Sequence, residues 1–152
     1  MPSVRFILQK QIPNPSQLLN LAKHICLEEK KLLNGGEICI QFVSDKKIKA
    51  INRTFLNHNY STDVIAFNYP IPPHKLKIET IPFGDIYISV ESAAREAKAG
   101  GYLLQQELAW LLAHGLLHLG GYEDKTERLQ EKMFKRQKSL LEKLAPNLAP
   151  PC

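Results

Sequence analysis

The sequence predicts an α+β fold: a small four-stranded mixed sheet packed by about five helices, with a metal site at the end of a central helix. Three observations carry that expectation. Short runs around residues 37–44 and 84–90 alternate apolar and polar residues with the two-residue period of a half-buried strand. Between such runs lie stretches whose apolar residues recur at helical spacing and are closed off by glycine or proline. One of them, over 103–119, is the most apolar of the chain and carries His114 and His118. A helix that is apolar on nearly every side belongs in the middle of a molecule.

In chain order, residues 3–8 form a short strand. Pro13 and Pro15 break the chain before a helix over 16–33, in which Leu18, Leu21, Ala22, Ile25 and Leu32 recur at helical spacing. Pro15 suits the first turn of that helix, and Gly35 and Gly36 suit its end. Over 37–44, Ile38, Ile40 and Phe42 alternate with Glu37, Cys39 and Gln41. Asp45 is placed to cap a second helix with Ile48, Ile51 and Phe55 on its apolar face. Residues 64–69 are rich in strand formers, and Pro70, Pro72, Pro73 and Pro82 mark an irregular loop after them. The strand 84–90 turns Ile86, Ile88 and Val90 to one side. A short helix over 91–98 sets Glu91 and Arg95 four residues apart, the spacing of a helical ion pair, and Gly100 and Gly101 stop it. The apolar helix ends at Gly120 and Gly121, because glycine accepts the left-handed conformations that terminate helices. A basic amphipathic helix over 126–144 completes a single domain of residues 1–145. Pro146, Pro150 and Pro151 leave 146–152 as a frayed tail.

Composition narrows the function classes. A chain of 152 residues that is 44% hydrophobic and 23% charged resembles an ordinary globular domain, large enough to bury a core. The apolar helix is interrupted by Gln105, Gln106, Glu107 and the two histidines, so it is not a membrane span, which needs about 20 mostly apolar residues. Residues 1–15 hold no apolar core of signal-peptide length. Cys26, Cys39 and Cys152 are an odd number without a C-x-x-C spacing. That speaks against a disulfide framework or a thiolate zinc site, and for a reducing cytoplasm. The net charge of +5 is unevenly placed: seven Lys or Arg stand against three Glu between Lys125 and Lys143, and four basic residues against one acid between Asp45 and Arg53. Clustered positive charge suits a polyanion, whose neutralised phosphates release counterions. The plain alternative is a solvated helix face.

His114 and His118 are four residues apart, so their imidazoles share one face of the helix, one turn apart. Two neutral imidazoles at that spacing can ligate a single zinc at about 2.0–2.1 Å. Gly120 and Gly121 let the chain reverse after His118 and bring Tyr122, Glu123 and Asp124 back toward the pair. Three protein ligands and an open position describe a catalytic site, whereas structural zinc sites are closed by four.

The segment H-G-L-L-H-L-G-G-Y-E-D over 114–124 resembles the signature H-G-x-L-H-x-x-G-Y-x-H of the YbeY family, the bacterial rRNA-maturation endoribonucleases. Upstream, Ile51 and Asn52 through Phe55, and S-T-D-V-I-A-F over 61–67, resemble that family's L-N-x-x-[aromatic]-R and T-D-V-L-S-F stretches. G-D-I-Y-I-S over 84–89 is similar to its G-D-I-x-I-S strand, and Glu107 and Leu108 to its helix lead-in. The matches keep the family's order and span roughly residues 38–124. The resemblance implies a metal-dependent, single-strand-specific endoribonuclease. Its substrate would be precursor RNA of the small ribosomal subunit, and it would take part in ribosome quality control. Carried over by position, His114, His118 and Asp124 become the ligands of one divalent ion, expected to be zinc.

Two positions depart from the family pattern. The third ligand is commonly His and here is Asp124; two His with one carboxylate also suit non-haem iron and other divalent ions. The arginine that usually follows the aromatic residue of the L-N motif is replaced by Leu56, with Arg53, His58 and Lys125 as candidates to steady phosphate charge instead.

A metal held by three side chains lowers the pKa of its water from about 15.7 to about 7, so a metal-bound water is the expected source of hydroxide. The general base is less evident. Where H-E-x-x-H metalloproteases place glutamate, this chain has Gly115. The nearby carboxylates are Asp63, read as a turn cap, Asp85, read as structural, and Glu123, a candidate base or further ligand. Lys46, Lys47, Lys49, Arg53 and the last helix can follow a phosphate backbone. Tyr60, Phe67 and Tyr69 are candidate stacking surfaces, though Phe67 and Trp110 read first as core. Two other readings remain open at the level of sequence. One is a metal-dependent hydrolase of another substrate, peptides included; the other is a non-catalytic RNA- or ribosome-binding protein with a vestigial site.

Overall fold

The computed structural model of the chain describes residues 3–56, 62–70 and 81–150, apart from the side chains of 55 and 56. His58, Tyr60, Pro72, Pro73, Pro151, Cys152 and the side chains of Phe55 and Leu56 lie outside the described residues. The elements run β1 (Val4–Leu8), α1 (Pro15–Glu28), α2 (Lys30–Leu33), β2 (Glu37–Val43), α3 (Asp45–Leu56), β3 (Val64–Asn68), β4 (Pro82–Ser89), α4 (Val90–Gly100), α5 (Leu104–Leu119) and α6 (Glu127–Leu144). A 3-10 turn, Pro146–Leu148, follows. Among the described residues no helix is long and apolar enough to cross a membrane.

The strand order is β1-β2-β4-β3. β1 with β2 and β2 with β4 are parallel, while β3 runs antiparallel to β4, so the sheet is mixed as the sequence predicts. Parallel neighbours need helical crossovers, and α1, α2 and α3 lie on those connections. The register sets Ile40 beside Ile86 and Phe42 beside Ile88. Because side chains alternate along a strand, Ile38, Ile40, Phe42, Ile86 and Ile88 reach the same face, and all five are 0% exposed. They share one core with Leu18 and Ile25 of α1, Leu108, Leu112 and Leu116 of α5, and Met133 and Leu140 of α6. On the other face Val43 and Ile65 pack with Ile48 and Ile51 of α3, and Phe67 and Tyr87 join them edge to face at 6.2 Å. Phe67 is therefore packed, in line with its reading as core.

α5 is the central helix, with eleven of its residues buried. Two glycines let it approach the sheet closely. A Cβ on Gly115 would meet Ile86 Cγ2 at 2.8 Å, and a Cβ on Gly84 of β4 would meet Leu119 Cδ2 and the Phe67 carbonyl at 2.6 Å. The site at the end of α5 is thus held against β4 and β3.

Several local expectations are corrected. The helix expected over 16–33 is two helices, which makes six α-helices among the described residues in place of about five. Glu29 breaks it with extended backbone (φ −108°, ψ 111°), and its buried carboxylate accepts two bonds from Arg136 of α6, at 3.0 and 2.6 Å. The cap of α3 is Ser44, whose hydroxyl accepts the Lys47 N–H at 3.1 Å. Asp45 instead accepts from Arg95 at 2.7 Å and from the Ser89 hydroxyl at 2.5 Å. Arg95 is thereby drawn to Asp45 rather than along its own helix to Glu91, and Glu91 accepts the Asp45 N–H at 2.7 Å. Asp63 is no simple turn cap either, because its carboxylate accepts the Ser92 hydroxyl of α4. Residues 146–150 do not fray: Leu148 is 3% exposed, and the Ala149 carbonyl accepts from Gln106 at 3.2 Å.

Candidate metal centre

His114 and His118 lie in the last turns of α5, on the edge of the core, both half-buried. The helix stops where Gly121 takes φ +99°, a conformation costly for any residue with a Cβ. Tyr122 N–H then bonds back to the Leu117 carbonyl at 3.0 Å and Gly120 N–H to that of Leu116 at 3.0 Å, which closes the helix end. The chain returns over the histidine face, and Asp124 arrives beside both rings.

The three side chains form a group able to hold a metal ion. His114 Nε2 and His118 Nε2 are 3.0 Å apart, and Asp124 Oδ2 stands 3.5 Å and 3.4 Å from them. Atoms bound tetrahedrally at about 2.0–2.1 Å from one centre are about 3.3 Å apart, so the three edges fit a common ion.

Protonation strengthens that fit. His114 Nδ1 lies 2.9 Å from Gln137 Oε1, and His118 Nδ1 lies 3.0 Å from the Tyr122 carbonyl. The Gln137 amide nitrogen donates to the Trp110 carbonyl at 3.2 Å, which leaves its oxygen for His114. Both Nδ1 partners are acceptors, so each neutral imidazole carries its hydrogen on Nδ1 and leaves Nε2 bare. Two bare lone pairs and a carboxylate 3.0–3.5 Å apart repel unless a cation joins them. Burial, ahead of all other causes, pushes the His114 pKa down and favours the neutral ligand form.

The site opens into a cleft of about 540 Å³ whose described wall includes Asn52, Thr62, Asn68, His118, Glu123 and Lys125. Glu123 is exposed and 3.9 Å from Lys125 Nζ. Arg53 is exposed on α3 and is not in the described cleft wall, where its neighbour Asn52 lies. Lys46, Lys47 and Lys49 are likewise exposed on α3 and absent from that wall. Asp85 accepts from the Tyr69 hydroxyl, a link between β4 and the end of β3 in keeping with a structural role. Trp110 is half-buried and packs on Phe134 at 5.7 Å.

Sequence reasoning missed Gln137. It is 0% exposed, and as a polar residue on the same buried face as Met133, Leu140 and Leu141 it carried a readable signal. It also missed Asn68, whose amide donates to the Leu119 carbonyl at 3.1 Å and ties β3 to the end of α5.

Comparison with known proteins follows the same lines. A sequence profile of the family described as Endoribonuclease YbeY matches residues 7–145. The chain is similar to the protein named Endoribonuclease YbeY in Geobacillus sp. (strain WCH70), with 35% identity over 150 residues, 90% of this chain and 88% of that one. Its similarity to the protein of the same name in Synechococcus sp. (strain JA-2-3B'a(2-13)) is 37% over 140 residues, covering 88% and 86% of the two chains. For the one in Elusimicrobium minutum (strain Pei191) it is 42% over 98 residues, covering 64% and 67%. The fold is similar to the solution structure of TM1509 from Thermotoga maritima, with a TM-score of 0.61 at 24% identity over 95% of this chain and 90% of that one.

Proposed function

We propose, on the premise that this chain belongs to the endoribonuclease YbeY family, that it is a metal-dependent endoribonuclease that cuts single-stranded RNA. Its substrate is precursor RNA of the small ribosomal subunit, in the cytoplasm, and it serves ribosome quality control. His114, His118 and Asp124 hold one divalent ion, which we take to be zinc. The observation that carries the reading is the pair of bare Nε2 atoms converging with Asp124 at the mouth of an open cleft.

When bound there, a divalent ion supplies a Lewis acid for a phosphoryl oxygen and an activated water. The chain's own residues prepare the place. Gln137 and the Tyr122 carbonyl hold the two Nδ1–H groups and so fix both ring orientations. Asn68 anchors the end of the ligand helix to β3. Lys125 offers a cation to a phosphate in the cleft, and Glu123 beside it is positioned to take up a proton. The exposed lysines and arginines of α6 extend the positive surface toward the ribosomal subunit.

A peptidase of the H-E-x-x-H kind is disfavoured by geometry as well as by residue type. Gly115 presses on Ile86 of the sheet, so that position faces the core and has no room for a glutamate base.

The test is metal analysis of the purified protein beside cleavage of an unstructured RNA, with wild type and Asp124→Ala compared. Wild type should hold one divalent ion and cut RNA, and a chelator should stop it. Asp124→Ala should lose both ion and cleavage while staying folded. Full metal content in that variant would remove Asp124 from the ligand set, and RNA left intact by the metal-loaded wild type would overturn the nuclease reading.

A further inference from the structure

Among the described residues the metal cleft offers little positive charge to a substrate made of phosphates. Among its described lining residues the one Lys or Arg is Lys125, which stands beside Glu123, and Asp124 adds a further negative charge. A single strand of RNA crossing the site needs cations nearby, and a second groove provides them.

That groove, of about 600 Å³, is lined by Lys30, Lys31, Asn68, Phe83, Leu119 and Gly121 among others. Its volume falls within the range of small-ligand sites, about 300–1,000 Å³. It adjoins the metal cleft, because Asn68 and Gly121 line both. Phe83, half-buried, offers it an aromatic ring, which accepts any nucleobase without reading its identity, and buried Leu119 backs the groove floor. Lys30 and Lys31 are exposed at its border, and neither enters an ion pair among the described residues. Gly121 stands at the border between cleft and groove, and the Lys31 amine occupies the space that a side chain would take there. A Cβ there would stand 2.9 Å from Lys31 Nζ, so that amine lies over the turn leading to Asp124.

We propose that this groove is a subsite for the RNA strand next to the scissile phosphate: a base rests on Phe83, and Lys30 and Lys31 take the neighbouring phosphates. The strand enters or leaves the metal cleft across Gly121. The two lysines thereby supply phosphate charge from α2 in the groove, while Lys125 lies in the metal cleft. The assignment rests on the nuclease reading above and adds to it the path of the strand.

The experiment compares zinc-loaded wild type, Lys30→Ala/Lys31→Ala, Lys30→Arg/Lys31→Arg and the control Lys98→Ala, which lies near the far end of α5. Each is assayed on an unstructured oligoribonucleotide at several salt concentrations, with zinc content and melting temperature recorded. The double alanine variant should raise KM by about tenfold with kcat and zinc content kept, and should lower the slope of log affinity against log salt by about 0.7 per lost phosphate contact. The double arginine variant and Lys98→Ala should behave as wild type. In a second arm Phe83→Leu, which keeps apolar volume without the ring, should raise KM, and Phe83→Tyr should restore it. Unchanged KM and salt slope in the double alanine variant overturn the subsite while leaving the nuclease reading intact. A wild type that neither binds nor cuts the oligoribonucleotide overturns both.

Discussion

An imidazole that ligates through one nitrogen must dispose of the hydrogen on the other, and at His114, a proposed ligand, the acceptor for that hydrogen is Gln137. The amide serves two masters, accepting from His114 at 2.9 Å and donating to the Trp110 carbonyl at 3.2 Å. Gln137→Ala should weaken binding of the proposed metal ion, tested with zinc, by about 10–100-fold, as loss of an outer partner does at other metal sites. It should also cost about 1–3 kcal/mol in stability, because a buried donor and a buried acceptor lose their partner. Gln137→Glu keeps the acceptor, so zinc affinity should largely return while the stability loss remains. Competition with a chromophoric chelator and thermal melts of the zinc-free proteins separate the two effects. Unaltered zinc affinity in the alanine variant would reduce Gln137 to a packing residue.

α5 is rich in leucine, yet its place against the sheet is set by what is missing at two glycines. Gly115→Ala meets the Cγ2 methyl of buried Ile86, an overpacking cost of about 1–3 kcal/mol. The higher helix propensity of alanine returns roughly 1 kcal/mol of it. Gly84→Ala meets Leu119 and also the Phe67 carbonyl, which strand pairing between β3 and β4 holds in place. It should therefore be the more destabilising of the two in urea titrations. The opposite order would mean that the β3–β4–α5 junction is loose. Local breaks also act at this scale: Glu29 divides the first helix, and its carboxylate there reaches Arg136, a partner 107 residues away that no local pattern announces.

Across the whole molecule, Asp45 joins α3 to β4 and α4 through Ser89 and Arg95. The Arg95 hydrogen bond is the largest cause that holds its carboxyl below the usual range. In the unfolded chain Asp45 titrates near about 3.9, so the folded state prefers the charged form. That contribution is complete above the unfolded value and is lost as pH falls through the depressed folded one. Asp45→Asn should lower stability at neutral pH by about 1 kcal/mol, a modest figure because the Arg95 side chain is 62% exposed and screened by solvent. The gap to wild type should close in acid, below both pKa values. Denaturation of both proteins over the acid range checks it, and a gap that stays constant would place the stabilisation elsewhere.

The alternation of Ile38, Ile40 and Phe42, the four-residue spacing of His114 and His118, and the glycines after them were legible because backbone periodicity is written locally. A strand repeats every two residues and a helix every 3.6, so the sheet, the central helix and the histidine face follow from sequence alone. Asp124 was reached through the family signature, and the structure brings its carboxylate beside both rings. The partners of the two Nδ1 atoms, the pairing of Arg95 with Asp45 and the nearness of Lys30 and Lys31 to the cleft were decided by tertiary structure. Each joins elements far apart in the chain, and such contacts depend on how whole faces pack, which no local repeat encodes.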